Sequence, residues 1–261
     1  MKLNFPRFQR RLAFVQLQLA SALCNWHRFG WRGKAAVPLS EGGVDLEGSA
    51  AAGFQRLRSR RVDQFTPAAC SVASVAAVLN AARLCQRPDA DSPPVTQEAL
   101  LDRIPVGHWR ERISPAGYRH RRGLPIELLG KVVTRTLAAY RIDCRSIDVV
   151  ALNSGMPDLD RRREALQRRL NGFAQTADTF MIAHFNQGLL VGGLHLPHIS
   201  PLGAYDRRGR RVLMLDVDPE QPEPYWVPFD TFFDALAWDY HGILKKFGYV
   251  GGGYVRIRLA A

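Results

Sequence analysis

The spacing of apolar positions predicts that helices occupy the first part of the chain and strands the last part. Residues 70–84 read CSVASVAAVLNAARL, an alanine-rich stretch whose larger apolar side chains recur at helical spacing. Thr96 precedes QEALLDRI and is a plausible N-cap, and Pro125 is tolerated in the first turn of a later helix. The predicted helices cover residues 70–84, 97–104, 124–139 and 158–173.

After residue 173 the pattern changes to short apolar or alternating runs separated by glycine and charged turns. Such runs indicate strands, predicted over 179–185, 198–205, 211–218 and 253–260. Because helices come first and strands follow, we expect an α+β domain built in two lobes.

Two interpretations of the N-terminal segment remain open. Residues 1–22 combine basic positions, a short apolar stretch and the small-x-small triplet Ala20-Ser21-Ala22, which is typical of an export signal. The same residues place Phe5, Leu12 and Leu19 on one helical stripe beside a basic face, as in a helix docked on the domain or on a membrane surface. The first interpretation implies a periplasmic or exported protein, and the second permits a cytoplasmic one.

Residues 30–53 are rich in Gly, Ala and Ser and are predicted to form a linker. We therefore divide the chain into an N-terminal segment with its linker, residues 1–53, and a folded domain, residues 54–261. The folded domain should begin near Phe54.

Composition excludes several classes of protein. The 261 residues are 46% hydrophobic and 23% charged, unlike a disordered or fibrous chain. No apolar run reaches the roughly 18–20 residues of a membrane-spanning helix. The formal net charge is +12, and 31 of the 36 basic residues are arginine, scattered as pairs and triplets. A basic protein that grips nucleic acid or an anionic membrane is therefore a minor hypothesis, and no specific nucleic-acid partner is expected.

The position of one of the four cysteines makes its thiol a candidate nucleophile. The four cysteines are Cys24, Cys70, Cys85 and Cys144, and no two have the spacing of a zinc site, so we expect no structural metal or cofactor. Cys70 lies at the predicted start of a helix, where the partial positive charge of the helix end favours a thiolate. It is the best candidate for a nucleophile.

Three further residues suit a thiol nucleophile. His198 and Asp216 are equally distant from Arg207 in the predicted turn, so they should lie opposite each other on neighbouring antiparallel strands. This arrangement suits a general base and the group that orients it. Gln64 lies in a loop six residues before Cys70, and its uncharged amide could donate to an oxyanion.

The motifs around these residues resemble those of the phytochelatin synthase family, particularly its short prokaryotic members. The residues that carry the resemblance are Gln64-x5-Cys70 with SVASVAAVLNA, GLPIELL at 123–129, PHISPLGAY at 197–205, LMLDV at 213–217 and YWVP at 225–228. They span residues 64 to about 236, roughly two-thirds of the chain.

The resemblance implies a papain-like α+β fold, with a helical N-terminal lobe packed on an antiparallel C-terminal sheet lobe and the active-site cleft between them. It implies Cys70 as nucleophile, His198 as general base, Asp216 as its orienting group and Gln64 as oxyanion donor. The expected substrate is glutathione: the thiolate releases glycine and keeps a γ-glutamylcysteinyl thioester, which passes to water or to a second glutathione. Cadmium or zinc would arrive as thiolate complexes of the substrate. The chain lacks the cysteine-rich C-terminal extension of the plant enzymes, which favours hydrolysis.

Three departures from the family pattern leave the substrate open. The family glycine after the nucleophile is Ser71, the stretch after Asp216 is acidic over 218–224, and the family's Arg-Gly-Phe is Gly252-Gly253-Tyr254. Basic residues in the family pattern would help to bind substrate carboxylates. The alternative is therefore a papain-like peptidase or isopeptidase acting on another peptide, or a catalytically inactive basic binding protein.

Overall fold

A computed structural model describes residues 35–44, 46–87, 93–119, 121–240 and 249–260. They form a mixed α+β structure around a seven-stranded sheet in the order β1-β6-β5-β4-β3-β7-β2, with every neighbouring pair antiparallel. The strands are β1 (Val37–Pro38), β2 (Cys144–Leu152), β3 (Thr179–Asn186), β4 (Pro197–Asp206), β5 (Arg211–Met214), β6 (Tyr225–Pro228) and β7 (Gly252–Leu259).

Within these ranges the structure has eight α-helices, which cover both faces of the sheet. They are α1 (Gly48–Arg58), α2 (Cys70–Gln86), α3 (Gln97–Arg103), α4 (Trp109–Ile113), α5 (Ile126–Ala139), α6 (Leu159–Phe173), α7 (Gln187–Val191) and α8 (Phe229–Leu236). One apolar core joins α1 to α5 with one face of the sheet, and a second joins α6 to α8 with the other.

The two cores explain why the central elements are apolar throughout. Every residue of β3 is buried, because Phe180 and Ile182 point into the first core while Met181 and Ala183 point into the second. Residues 70–82 of α2 are also all buried, so this helix has no polar stripe. A helix that is buried on all sides can hold a side chain in a fixed position, as an active site requires.

The α+β class is confirmed, as are the four predicted helices and three of the predicted strands, with shifts of one or two residues at their ends. Thr96 does cap α3, because its hydroxyl accepts a hydrogen bond from the Ala99 N–H at 3.2 Å. The predicted strand 211–218 is shorter, since β5 ends at Met214.

The predicted linker over 30–53 is wrong where the structure describes it. Val37–Pro38 pairs with β6, and Gly48 begins a helix that continues through Phe54. The alanines of this stretch favour a helix, and the buried side chains of Phe54 and Leu57 anchor it to the first core. Ordered structure therefore precedes Phe54, while residues 1–34, including the alternatives for 1–22, lie outside the described residues.

Strand β6 was not predicted as a strand, and for the segment around Cys144, which begins β2, a strand and a loop were both left open. In β2 most residues are partly exposed and buried positions do not alternate, so the period-two signal is absent. None of the helices that the structure describes is both long and apolar enough to cross a membrane.

Candidate active site

His198 and Asp216 form a buried hydrogen-bonded pair. The distance between His198 Nε2 and Asp216 Oδ1 is 2.6 Å, and both side chains are at most 5% exposed. His198 lies near the start of β4, and Asp216 lies two residues after the end of β5. The adjacent hairpin strands thus bring together two residues that are 18 positions apart in the sequence.

The predicted direct opposition of His198 and Asp216 is wrong in register. Asp206 pairs with Arg211, and a bulge between Leu202 and Ala204 shifts the pairing by one residue. The Leu215 N–H then donates to the Pro201 carbonyl at 3.0 Å, which places Asp216 across from Ser200 instead. His198 lies two residues further along the same strand, where its ring still reaches the carboxylate diagonally.

Asp216 accepts hydrogen bonds from four donors. Besides His198, these are the Ser200 hydroxyl at 3.0 Å, the Tyr225 hydroxyl at 2.6 Å and the Asp218 N–H at 3.0 Å. Burial alone would raise the pKa of Asp216, but the charge of His198 and these hydrogen bonds lower it to about 2. The carboxylate is therefore ionised across the neutral range.

The charge on Asp216 favours a protonated His198. Burial acts to lower the pKa of His198, but the charge and hydrogen bond of Asp216, together with a hydrogen bond to Cys70, raise it well above its ordinary value. Because Nε2 faces Asp216, Nδ1 is the ring nitrogen that remains for the Cys70 sulfur. The three side chains can therefore form a thiolate–imidazolium pair supported by a carboxylate.

Cys70 begins α2, as the sequence predicts, and its side chain is 7% exposed. The Ser74 hydroxyl, one turn later, donates to the Ile199 carbonyl at 2.9 Å, which ties this helix to the strand of His198. The Ser71 hydroxyl accepts a 2.9 Å hydrogen bond from Trp109 Nε1. The serine that replaces the family glycine is therefore fully buried and has a partner.

Gln64 lies in the loop before α2, next to the segment that carries Asp216. Its backbone N–H donates to the Val217 carbonyl at 2.9 Å. Its side-chain Oε1 is buried and has no hydrogen-bond partner in the described ranges of the chain. This pairing fixes the loop beside the His198–Asp216 pair, and the role of Gln64 as oxyanion donor stays a prediction.

The other described thiols are less suited to act as nucleophiles. Burial raises the pKa of Cys85, although Arg56 Nη1 donates to its sulfur at 3.1 Å. Burial likewise raises the pKa of Cys144, with Asp143 adding to the effect. Cys24 lies outside the described residues.

Two other described histidines, His195 and His184, lie in different surroundings. His195 stacks on Trp238 and its Nδ1 lies 2.9 Å from Asn186 Nδ2. His184, in contrast, is completely buried, and burial followed by the charge of His198 lowers its pKa to about 4. This imidazole is neutral at physiological pH, and within the described part of the chain its Nδ1 has no hydrogen-bond partner.

Sequence reasoning missed an aromatic wall beside the nucleophile, formed by His184, Tyr240 and Tyr249. The ring centroid of Tyr249 lies 6.0 Å from those of both His184 and Tyr240. Burial, followed by interactions that include the nearby Cys70, raises the pKa of both tyrosines. No local motif marks these residues, and only the fold brings Tyr240 and Tyr249 near Cys70.

The packing of the backbone around Gly252 explains one departure from the family pattern. A Cβ at Gly252 would overlap with the carbonyl oxygens of His184 and Leu236, so this backbone excludes an arginine at that position. Position 252 therefore has no room for the arginine of the family pattern, because two backbone carbonyl oxygens contact the glycine closely.

Replacing Tyr240 with phenylalanine should raise the free energy of unfolding by about 1 kcal/mol, because its buried hydroxyl has no hydrogen-bond partner among the described residues. The matched control is Tyr225→Phe, which removes the hydroxyl that donates to Asp216 and should lower that free energy by about 1.5–3 kcal/mol. Urea unfolding of the two variants tests the opposite signs. A loss of stability in Tyr240→Phe equal to that in Tyr225→Phe would contradict the prediction.

Among the described residues, no group of three His, Cys, Asp or Glu side chains could hold a metal ion. Such a group would be needed for a metal ion that the protein itself holds. A metal bound to substrate thiols would need no such group.

A mixed α+β fold with a buried imidazole–carboxylate pair and a thiol at a helix start is consistent with the class of papain-like proteins. Comparison with protein-family models gives a match to phytochelatin synthase over residues 42–248. The chain therefore belongs to the phytochelatin synthase family, a family of glutathione γ-glutamylcysteinyltransferases. A comparison with curated protein sequences found no significant match.

Proposed function

We propose that this protein cleaves glutathione between cysteine and glycine and holds the acyl group as a γ-glutamylcysteinyl thioester on Cys70. The observation that carries the proposal is the buried His198–Asp216 pair at 2.6 Å. Cys70, at the start of α2, lies near enough to this imidazole to help raise its pKa. Family membership supplies the substrate class.

The first half-reaction follows from the charge states. The Cys70 thiolate attacks the carbonyl carbon, and the amide of Gln64 donates to the oxyanion that forms. The protonated His198 then gives its proton to the departing glycine nitrogen as the carbon–nitrogen bond breaks. Asp216 holds the ring in orientation and stabilises its positive charge before this transfer.

The second half-reaction reverses the proton movement. His198, now neutral, accepts a proton from the attacking nucleophile, which is either water or the amino group of a second glutathione. The carbon–sulfur bond then breaks and Cys70 leaves as the thiolate, which restores the starting state. Water yields γ-glutamylcysteine, and glutathione yields a phytochelatin. Metal ions such as cadmium or zinc would take part as thiolate complexes of glutathione and not as ligands of the protein.

Incubation of the protein with glutathione tests the proposal. We expect release of glycine, formation of γ-glutamylcysteine or its polymer, and a γ-glutamylcysteinyl adduct in the intact mass of the protein. Parallel reactions with and without cadmium distinguish free glutathione from its metal complex as the substrate. Glycine release no faster than that of a Cys70→Ala variant under both conditions would contradict the proposal.

One observation favours a second candidate, a peptidase or isopeptidase acting on a different peptide. The backbone at Gly252 excludes the arginine that the family pattern has there, so recognition of the acyl group must differ in this chain. A peptide library that is cleaved in the absence of any glycine release from glutathione would favour this candidate.

A further inference from the structure

Helix α4 lies against the start of α2 and the loop before it. Trp109, at its start, donates from Nε1 to the Ser71 hydroxyl at 2.9 Å, next to Cys70. The carbonyl of Ile113, at its end, accepts a hydrogen bond from the Thr66 hydroxyl at 3.4 Å. The helix is therefore fixed at both ends beside the proposed acylation site.

This helix carries Arg112, whose guanidinium is partly buried. Nε donates to the Gly107 carbonyl at 2.9 Å and Nη1 to the Gly123 carbonyl at 3.5 Å, and neither bond uses Nη2. The guanidinium also lies over the ring of Tyr118, 5.6 Å from its centroid. Desolvation by burial lowers the pKa of Arg112, which remains a cation at neutral pH.

No described carboxylate lies within ion-pair distance of Arg112. This separates it from Arg110 on the same helix, which is exposed and paired with Asp102. A partly desolvated cation without a counter-charge is costly unless a ligand supplies the negative charge.

Tyr249 connects this cation to the nucleophile. Its hydroxyl donates to the Arg122 carbonyl, and a Cβ at Gly123 would overlap with that hydroxyl. Gly123 is thus in contact with Tyr249 and, through its carbonyl, with the Arg112 guanidinium. Burial raises the pKa of Tyr249 most, Cys70 raises it further, and Arg112 lowers it.

We propose that Arg112 binds a carboxylate of the substrate beside Cys70. Arg112 would supply a positive charge from α4. The close backbone contacts at Gly252 leave no room for an arginine at the start of β7. A peptide such as glutathione offers two carboxylates, one on its glycine and one on its γ-glutamyl group. The inference rests on the proposed function for the identity of the substrate, but not for the presence of an anion subsite.

Alkylation of Cys70 tests the subsite without relying on glutathione. Iodoacetate carries a carboxylate and iodoacetamide does not, so the ratio of their rate constants reports the positive charge near the sulfur. We expect Arg112→Gln to lower this ratio about fivefold, Arg112→Lys to retain most of it, and the matched control Arg110→Gln to leave it unchanged. An equal ratio in Arg112→Gln and wild type would overturn the proposal.

Steady-state kinetics then identify the carboxylate. With glutathione, Arg112→Gln should lose roughly 10- to 100-fold in kcat/KM, as expected for one charge-assisted hydrogen bond. If the loss disappears with glutathione glycine ethyl ester, Arg112 binds the glycine carboxylate. If the loss persists with this ester, Arg112 binds the γ-glutamyl carboxylate.

A kcat/KM within twofold of wild type on glutathione would also overturn the proposal. Absence of glycine release in wild type contradicts the proposed function instead, and the alkylation ratio still decides the subsite.

Discussion

Cys70→Ala should reduce glycine release from glutathione by about 10⁴-fold or more, because it removes the atom that forms the thioester. The neighbouring groups cannot replace it. His198 and Asp216 would retain their hydrogen bond but would have no nucleophile to activate. The measurements are the initial rate of glycine release and the intact mass after exposure to glutathione, which should show no adduct.

Cys85→Ala is the matched control, since it removes a thiol at the opposite end of the same helix. Its pKa is raised by burial and its sulfur accepts a hydrogen bond from Arg56, so we expect little change in the rate. An acyl adduct that persists in Cys70→Ala, or that disappears in Cys85→Ala, would contradict the assignment of the nucleophile.

Local signals in the sequence were sufficient to place the thiol and the imidazole–carboxylate pair in the same region. Cys70 could be chosen because a helix start has the same electrostatics in every fold. The pairing of His198 with Asp216 could be anticipated because they lie on, or just after, sequential strands joined by a short turn. Its register was missed because the turn is centred between Arg208 and Gly209 and not at Arg207, and because the bulge at Gly203 shifts the pairing by one residue.

The parts of the site that come from distant segments could not be predicted. Tyr240 and Tyr249 reach the nucleophile only because β7 inserts between β3 and β2, a pairing that joins the end of the chain to its middle. Arg112 was one of many scattered arginines in the sequence. Its lack of a counter-charge becomes visible only when the positions of the carboxylates are known.

Contacts between distant segments also explain why residues 30–53 were wrongly predicted to form a linker. A stretch rich in glycine and alanine resembles a linker when composition alone is considered. Two buried anchors, Phe54 and Leu57, determine that it folds, and their burial depends on strands more than a hundred residues away. Composition reflects only the local preferences of a segment, whereas packing against the rest of the domain determines whether the segment forms a helix.

Replacing His198 with asparagine should lower glycine release by about 10³- to 10⁴-fold, the usual consequence of losing a nucleophile's general base. Asparagine can still donate a hydrogen bond to Asp216, so the buried carboxylate need not lose its partner. The matched control is His195→Asn, which alters an imidazole that stacks on Trp238 and lies outside the proposed machinery. A rate within tenfold of wild type in His198→Asn would contradict the role of the imidazole.

The pH dependence of Cys70 alkylation tests the charge state of the pair. Asp216 raises the pKa of His198 well above its ordinary value, so the imidazolium should persist as the pH rises through the neutral range. Its positive charge should favour nucleophilic attack by the neighbouring sulfur, so wild type should react with iodoacetamide faster than His198→Asn between about pH 6 and 8. In His198→Asn the rate should instead rise steeply toward the range of an ordinary thiol, about pH 8.5. Identical profiles for the two proteins would show that the thiolate does not depend on this imidazolium, and the proposed mechanism would then need another source of activation.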